Sequence, residues 1–170
     1  MQFGLLTVSD TCFQDPSQDK SGPTLQECLN SHEKLAGSKF VTGIVPDDKE
    51  RIKQWLIEQI PQVDVILTTG GTGFSSRDVT PEATREIIER PCPGIVVALL
   101  KVGLEKTPLA ALSRPEAGIC KQCLIVNLPG SPKACRESVP VLAEILPHAV
   151  SLLQEDKKQV QQTHTAMRSS

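Results

Sequence analysis

Aromatic side chains make up only 3% of this 170-residue chain. That excludes the rows of rings on which single-stranded nucleic acids stack. An excess of positive charge is also missing: 18 Lys and Arg face 20 Asp and Glu, leaving a net charge of −2. A protein that binds by neutralising a phosphate backbone needs the opposite balance, so no nucleic-acid partner is expected. No apolar run approaches the roughly 18 residues that cross a bilayer. The apolar start at residues 3–8 is too short for a secretory signal and has no basic residue before it. The three histidines, His32, His148 and His164, stand apart from one another and from any nucleophile, so a Ser-His-Asp arrangement is not expected. These absences point to a cytoplasmic protein whose six cysteines are reduced thiols.

What remains is an ordinary globular composition, 39% hydrophobic and 22% charged, at a length that suits one domain. Short apolar runs at 3–8, 40–45, 63–69 and 124–127 alternate with longer amphipathic stretches. Rich in Val, Ile and Leu and without polar alternation, the runs read as parallel strands buried on both faces. Helices are predicted at 25–35, with Gly37 as a stop, and after Asp47, which forms an Asp-x-x-Glu capping box with Glu50. A third opens with Thr80 as N-cap and Pro81 in the first turn. A fourth, at 95–104, lies between Pro93 and Pro108. The last runs from Ser131-Pro132 towards Leu153, with Pro140 and Pro147 limiting its regularity. Around residues 114–118 a hairpin-like excursion is expected. The folded domain is expected to span 1–154, with 155–170 as a polar tail or the start of a linker.

Ligands of an open parallel sheet bind beyond the carboxyl ends of its strands. Four distinctive segments follow such ends here: Ser9-Asp10, Pro46-Asp47, residues 70–78, and residues 127–131. In Gly70-Gly71-Thr72-Gly73, three glycines in four positions suit either a tight strand–helix turn or a phosphate cradle of backbone N–H groups. Neither a Walker loop nor a dinucleotide fingerprint is present. Asp47 reads either as a helix cap or as a site carboxylate. Asp78 reads as a turn residue or as a ligand for Mg²⁺, which prefers carboxylate, water and phosphate oxygens. Asn127-Leu-Pro-Gly130-Ser131-Pro132 is either a well-capped helix start or an anion site at that helix end. Cys120-Lys-Gln-Cys123 lacks the second ligand pair that a structural zinc requires.

Leu67-Thr-Thr-Gly-Gly-Thr-Gly-Phe74 followed by Arg77-Asp-Val-Thr-Pro-Glu-Ala-Thr84 closely resembles the molybdopterin-binding domain of molybdenum-cofactor biosynthesis proteins. Leu6-Thr-Val-Ser-Asp10, Ser21-Gly22-Pro23, Val45-Pro-Asp47, Leu112-Ser-Arg114 and Asn127-Leu-Pro-Gly130 add to the likeness in the family's order. It is similar to the N-terminal G domain of gephyrin-type proteins and to the plant and bacterial adenylyltransferases. The resemblance implies a three-layer α/β/α sandwich with a mostly parallel central sheet, commonly assembled as a homotrimer. It implies Mg²⁺-dependent transfer of AMP from ATP to the terminal phosphate of molybdopterin. Asp47 and Asp78 match the acidic residues tied to magnesium and catalysis. Ser9, Asp10, Gly70, Gly71, Thr72 and Gly73 match the nucleotide side, and Ser113, Arg114, Asn127, Gly130 and Ser131 the molybdopterin side.

Two departures stand out: Cys120-Lys121 where the family often has Arg-Gly, and Ser75-Ser76 where a small residue and Pro are frequent. A molybdate-inserting domain or partner is implied by the gephyrin likeness. A trimeric molybdopterin-binding scaffold without catalysis is the alternative. A general nucleotide hydrolase is disfavoured, because no residue is evidently placed to activate water.

Overall fold

In the computed structural model, which describes residues 1–168 and their side chains as far as Glu155, the four apolar runs become parallel strands. β1 (Gln2–Val8) pairs on one side with β2 (Lys39–Val45) and on the other with β3 (Val65–Thr69). The short strands β4 (Arg90–Pro91) and β5 (Ala117–Cys120) run antiparallel to each other. β5 also pairs antiparallel with β6 (Cys123–Leu128), which lies parallel to β3. The sheet order is β2-β1-β3-β6-β5-β4.

Because strand side chains alternate between faces, β1 divides its burial between two cores. Phe3 and Leu5 pack beneath α2 (Ser21–Ser31), α5 (Pro93–Lys106) and α6 (Pro132–Arg168), together with Leu25, Leu29, Leu99 and Leu142. Leu6 and Val8 pack beneath α3 (Lys49–Gln59) and α4 (Thr80–Ile87), together with Ile52, Leu56 and Ala83. Helices on both faces of one mostly parallel sheet make the expected three-layer sandwich.

Several local expectations are corrected. β2 is not buried on both faces: it is the edge strand, and only Val45 is buried. Helix α2 starts at Ser21 and ends at Ser31, four residues earlier at each end than the apolar pattern suggests. Leu35 is nonetheless buried, in the turn that ends with Gly37 at φ +75°. Helix α6 passes Pro140 and Pro147 unbroken and continues beyond Leu153. Val139, Leu142, Leu146 and Val150 bury one stripe of it, which offsets the backbone bonds that the prolines remove. The tail at 155–170 falls almost wholly beyond the described side chains. The hairpin forms between β5 and β6, with Cys120 opposite Cys123, and residues 114–116 lead into it.

Candidate functional site

Parallel pairing places the carboxyl ends of β1, β2, β3 and β6 on one rim. The four polar segments therefore converge there. Ser9 is largely spent on structure: its N–H donates to Val45 O at 3.0 Å, and its Oγ accepts from Cys12 N at 3.2 Å, capping α1 (Asp10–Gln14).

Asp47 does not cap α3. That role belongs to Asp48, whose Oδ1 accepts from Arg51 N at 2.9 Å. Asp47 points back across the rim, where its Oδ2 accepts from Asp10 N at 2.8 Å and its own N–H donates to Asp10 Oδ1 at 3.0 Å. Burial pushes the Asp47 carboxyl above the ordinary Asp range, and the charges of Asp10 and Asp78 add to the effect. Asp10 goes the other way. Arg77 bonds it at 2.7–3.1 Å, and this, with the Asp47 N–H, holds its carboxyl low.

The loop after β3 turns back sharply. Gly70 and Gly71 have φ of +101° and +63°, which other residues adopt only with strain. An added Cβ would lie 2.3 Å from Val8 O at Gly70, and 2.3 Å from Thr80 Oγ1 at Gly71. Thr80 is a buried clasp and not the expected N-cap, which is Val79. Its Oγ1 donates to Gly70 O at 2.9 Å and its N–H to Gly71 O at 3.1 Å. Among the described residues no acceptor pairs with the N–H groups of Gly71, Thr72 or Gly73, although those of Gly70, Ser75 and Asp78 are paired. Consecutive free N–H groups are what an anion cradle requires.

Both candidate carboxylates border this cradle. Asp47 Oδ1 lies 3.2 Å from the point where a Gly71 Cβ would stand, and Asp78 Oδ2 lies 2.9 Å from that point at Gly73. Neither forms an ion pair with a described residue. Among the described residues no three His, Cys, Asp or Glu side chains come close enough to hold a metal unaided. Two carboxylates beside a phosphate cradle do suit Mg²⁺, which completes its shell with water and phosphate oxygens.

Arg114 is turned onto the loop. Its Nε donates to Gly73 O at 2.9 Å and its Nη2 to Asp78 O at 2.8 Å, while Nη1 pairs with Glu82 and holds that carboxyl low. The side-chain amide of Asn127 is committed inside the protein. It donates to Thr68 and Thr84 hydroxyls at 3.0 and 2.9 Å, and its Oδ1 accepts from Glu116 N at 3.1 Å. Ser113, Asn127 and Ser131 line a groove of about 240 Å³ between α5 and the start of α6, with Leu99, Val102 and Pro129. Gly130 packs against Gly70, its O accepting from Ser21 Oγ at 2.9 Å. Thr80, Glu82 and the pairing of Arg77 are the contributors that sequence reasoning missed. Thr80 reads as a helix start, and nothing in the spacing of Thr80 or Glu82 marks these contacts. Cys120 and Cys123 are buried free thiols at a tight turn, and burial pushes Cys123 up to about 12.

Comparison with known proteins places the fold in a family. Residues 4–148 match a family model described as "Probable molybdopterin binding domain". The molybdenum cofactor synthesis protein cinnamon of Drosophila melanogaster is 45% identical over 170 residues, covering 99% of this chain and 28% of cinnamon. The chain thus spans less than a third of that relative. The molybdopterin adenylyltransferase of Helicobacter pylori strain J99 is 36% identical over 162 residues, covering 94% of this chain and 92% of that enzyme. A solved structure of the molybdopterin biosynthesis enzyme MoaB from Thermus thermophilus superposes with a TM-score of 0.78 at 44% identity, covering 89% of this chain and 95% of that one.

Proposed function

Because the chain belongs to the family of molybdopterin-binding domains, we infer that it transfers AMP from ATP to the terminal phosphate of molybdopterin and releases pyrophosphate. One observation carries the reading: a loop with three consecutive unpaired N–H groups, Gly71 to Gly73, lies between the carboxylates of Asp47 and Asp78.

In the transfer, an oxygen of the molybdopterin phosphate bonds to the α-phosphorus as the bond from that phosphorus to the pyrophosphate oxygen breaks. The attacking oxygen is already anionic at neutral pH, so the site needs no strong general base. The N–H groups of Gly71, Thr72 and Gly73 hold phosphate oxygens where charge develops. Thr80 and Arg114 fix that loop from behind by bonding its carbonyls. Mg²⁺, held by Asp47 and Asp78, would neutralise the triphosphate and align it. Asp47 suits this role: burial chiefly pushes its pKa up, and the Asp10 and Asp78 charges that add to the effect are those a cation relieves. The groove bounded by Ser113 and Ser131 is assigned to molybdopterin, and Ser9, Asp10 and the glycine loop to the nucleotide.

A homotrimer and a molybdate-inserting domain or partner belong to the same reading, as does a cytoplasmic address. The outer side of α5 and the turn after it expose Val97, Leu104, Leu109 and Leu112, an apolar surface suited to contact between subunits. No described helix is long and apolar enough to cross a membrane.

The test is to mix the protein with molybdopterin and Mg-ATP and detect adenylylated molybdopterin and pyrophosphate by mass spectrometry. Product that disappears in Asp78→Asn supports the enzyme. Tight molybdopterin binding without product indicates the scaffold alternative. Sedimentation of the same sample reads the oligomer.

A further inference from the structure

The rim carries more carboxylates than cations. Asp10, Asp47 and Asp78 lie together on it, so a polyphosphate arriving there meets like charge. Among the described residues, Arg77 is the one cation that forms an ion pair with any of the three. Its Nη2 donates to Asp10 Oδ1 at 2.9 Å and to Oδ2 at 2.7 Å, and its Nε to Oδ2 at 3.1 Å. The neighbouring arginines are otherwise engaged. Arg114 holds two loop carbonyls and Glu82, and Arg51 lies over the Phe13 ring at 5.5 Å from its centre.

We propose that Arg77 grips the pyrophosphate end of ATP, leaving Asp10 for the phosphate when the nucleotide enters. The inference rests on the adenylyl-transfer reading above and adds the residue that takes the leaving group. The planar fork that fits the Asp10 carboxylate fits two phosphate oxygens equally well. Release is easy, because the Arg77 side chain is 62% exposed and that of Asp10 42%, and exposed ion pairs are weakly held. Asp10 does not drift when Arg77 leaves, since Asp47 N still donates to its Oδ1. The loop that carries Arg77 also carries Asp78, so the grip and the metal-side carboxylate move as one piece.

Calorimetric titration with Mg-pyrophosphate and Mg-ATP separates this role from mere support of Asp10, using Arg77→Ala, Arg77→Lys, Asp10→Asn and the Asp10→Asn/Arg77→Ala double variant. Loss of charge-assisted bonds to phosphate predicts about a tenfold to hundredfold weaker affinity for Arg77→Ala. Arg77→Lys should recover part of it as a point charge. Asp10→Asn should bind more tightly, and on that background Arg77→Ala should cost at least as much as in the parent. An Arg77→Ala effect that is absent, or that vanishes once Asp10 is neutral, overturns the proposal. Unaltered pyrophosphate affinity in Arg77→Ala, with normal adenylylation by the parent, would sink the grip alone. Arg77-dependent pyrophosphate binding by a parent that makes no adenylylated product would sink the adenylyl-transfer reading and leave the grip standing.

Discussion

Asp10 and Asp47 hold each other by exchanged bonds, each backbone N–H donating to the other's carboxylate at 2.8 and 3.0 Å. The loops after β1 and β2 are thereby locked face to face, with two carboxylates kept closer than their charges favour. Burial, with the Asp10 and Asp78 charges, disfavours the ionised form of Asp47. Asp47→Asn preserves the acceptor for Asp10 N while removing the crowded charge. The expected outcome is a turnover loss of at least about a hundredfold, in line with losing one charge-stabilising group. The melting temperature should be unchanged or raised, because burial and the Asp10 and Asp78 charges disfavour the ionised Asp47. A melting temperature that falls with activity would make Asp47 structural.

Asp48, the next residue, separates the two functions of this acidic pair. It caps α3 and, among the described residues, forms no hydrogen bond or ion pair with the loop after β3. Asp48→Ala is expected to lower stability by about 1 kcal/mol, as for other lost N-caps, with turnover intact. Chemical denaturation beside the adenylylation assay checks both halves.

Gly71 has no room for a side chain. At φ +63°, an added Cβ would meet Thr80 Oγ1 at 2.3 Å and Asp47 Oδ1 at 3.2 Å. Gly71→Ala should therefore lose roughly 1–3 kcal/mol of stability to backbone strain. It should also abolish turnover by displacing the clasp and the carboxylate together. Gly94→Ala, where an added Cβ meets nothing within 4 Å, serves as the tolerated control in the same thermal and activity measurements.

These contacts show where sequence reasoning reached and where it stopped. β1, β3 and β6 were legible because uninterrupted runs such as Val65-Ile-Leu67 suit only strands buried on two faces. Their parallel order alone predicts that Ser9-Asp10, Asp47, the glycine loop and residues 127–131 meet at one rim. β2 was misread, since Phe40, Val41, Ile44 and Val45 resemble a central strand and nothing local reveals a missing neighbour. The capping pattern before α3 allows either of two adjacent acids, and only the backbone conformation of Asp48 decides. Arg114 reaches Gly73 across 41 positions, a contact that no periodicity encodes.

Asn127 sits on the same boundary between fold and site. Its side chain ties β6 to the buried Thr68 on β3 and Thr84 on α4, and to the half-buried Glu116 backbone. Asn127→Ala would strand these partners without water, at about 2–4 kcal/mol. The expected result is a marked fall in melting temperature, with molybdopterin affinity preserved in the folded fraction. An unchanged melting temperature with weakened molybdopterin binding would instead assign the amide to the ligand.

Alkaline pH tests the buried thiols. Burial raises the Cys123 thiol to about 12, against an ordinary value of 9.0 in the unfolded chain, and Cys120 and Cys135 shift in the same direction. Between these values the unfolded state has lost a proton that the folded state keeps, so unfolding becomes more favourable as pH rises. The stabilisation is complete below about pH 9 and is lost through the window up to about pH 12. Cys123 alone accounts for a slope of up to about 1.4 kcal/mol per pH unit. Cys123→Ala forms a small cavity and lowers stability at neutral pH, yet it should flatten this alkaline slope. Denaturation midpoints from pH 8 to 11 for the parent and this variant provide the check. Parallel curves would mean that Cys123 ionises as easily in the folded protein as in the unfolded chain, and that the β5–β6 turn admits water to it.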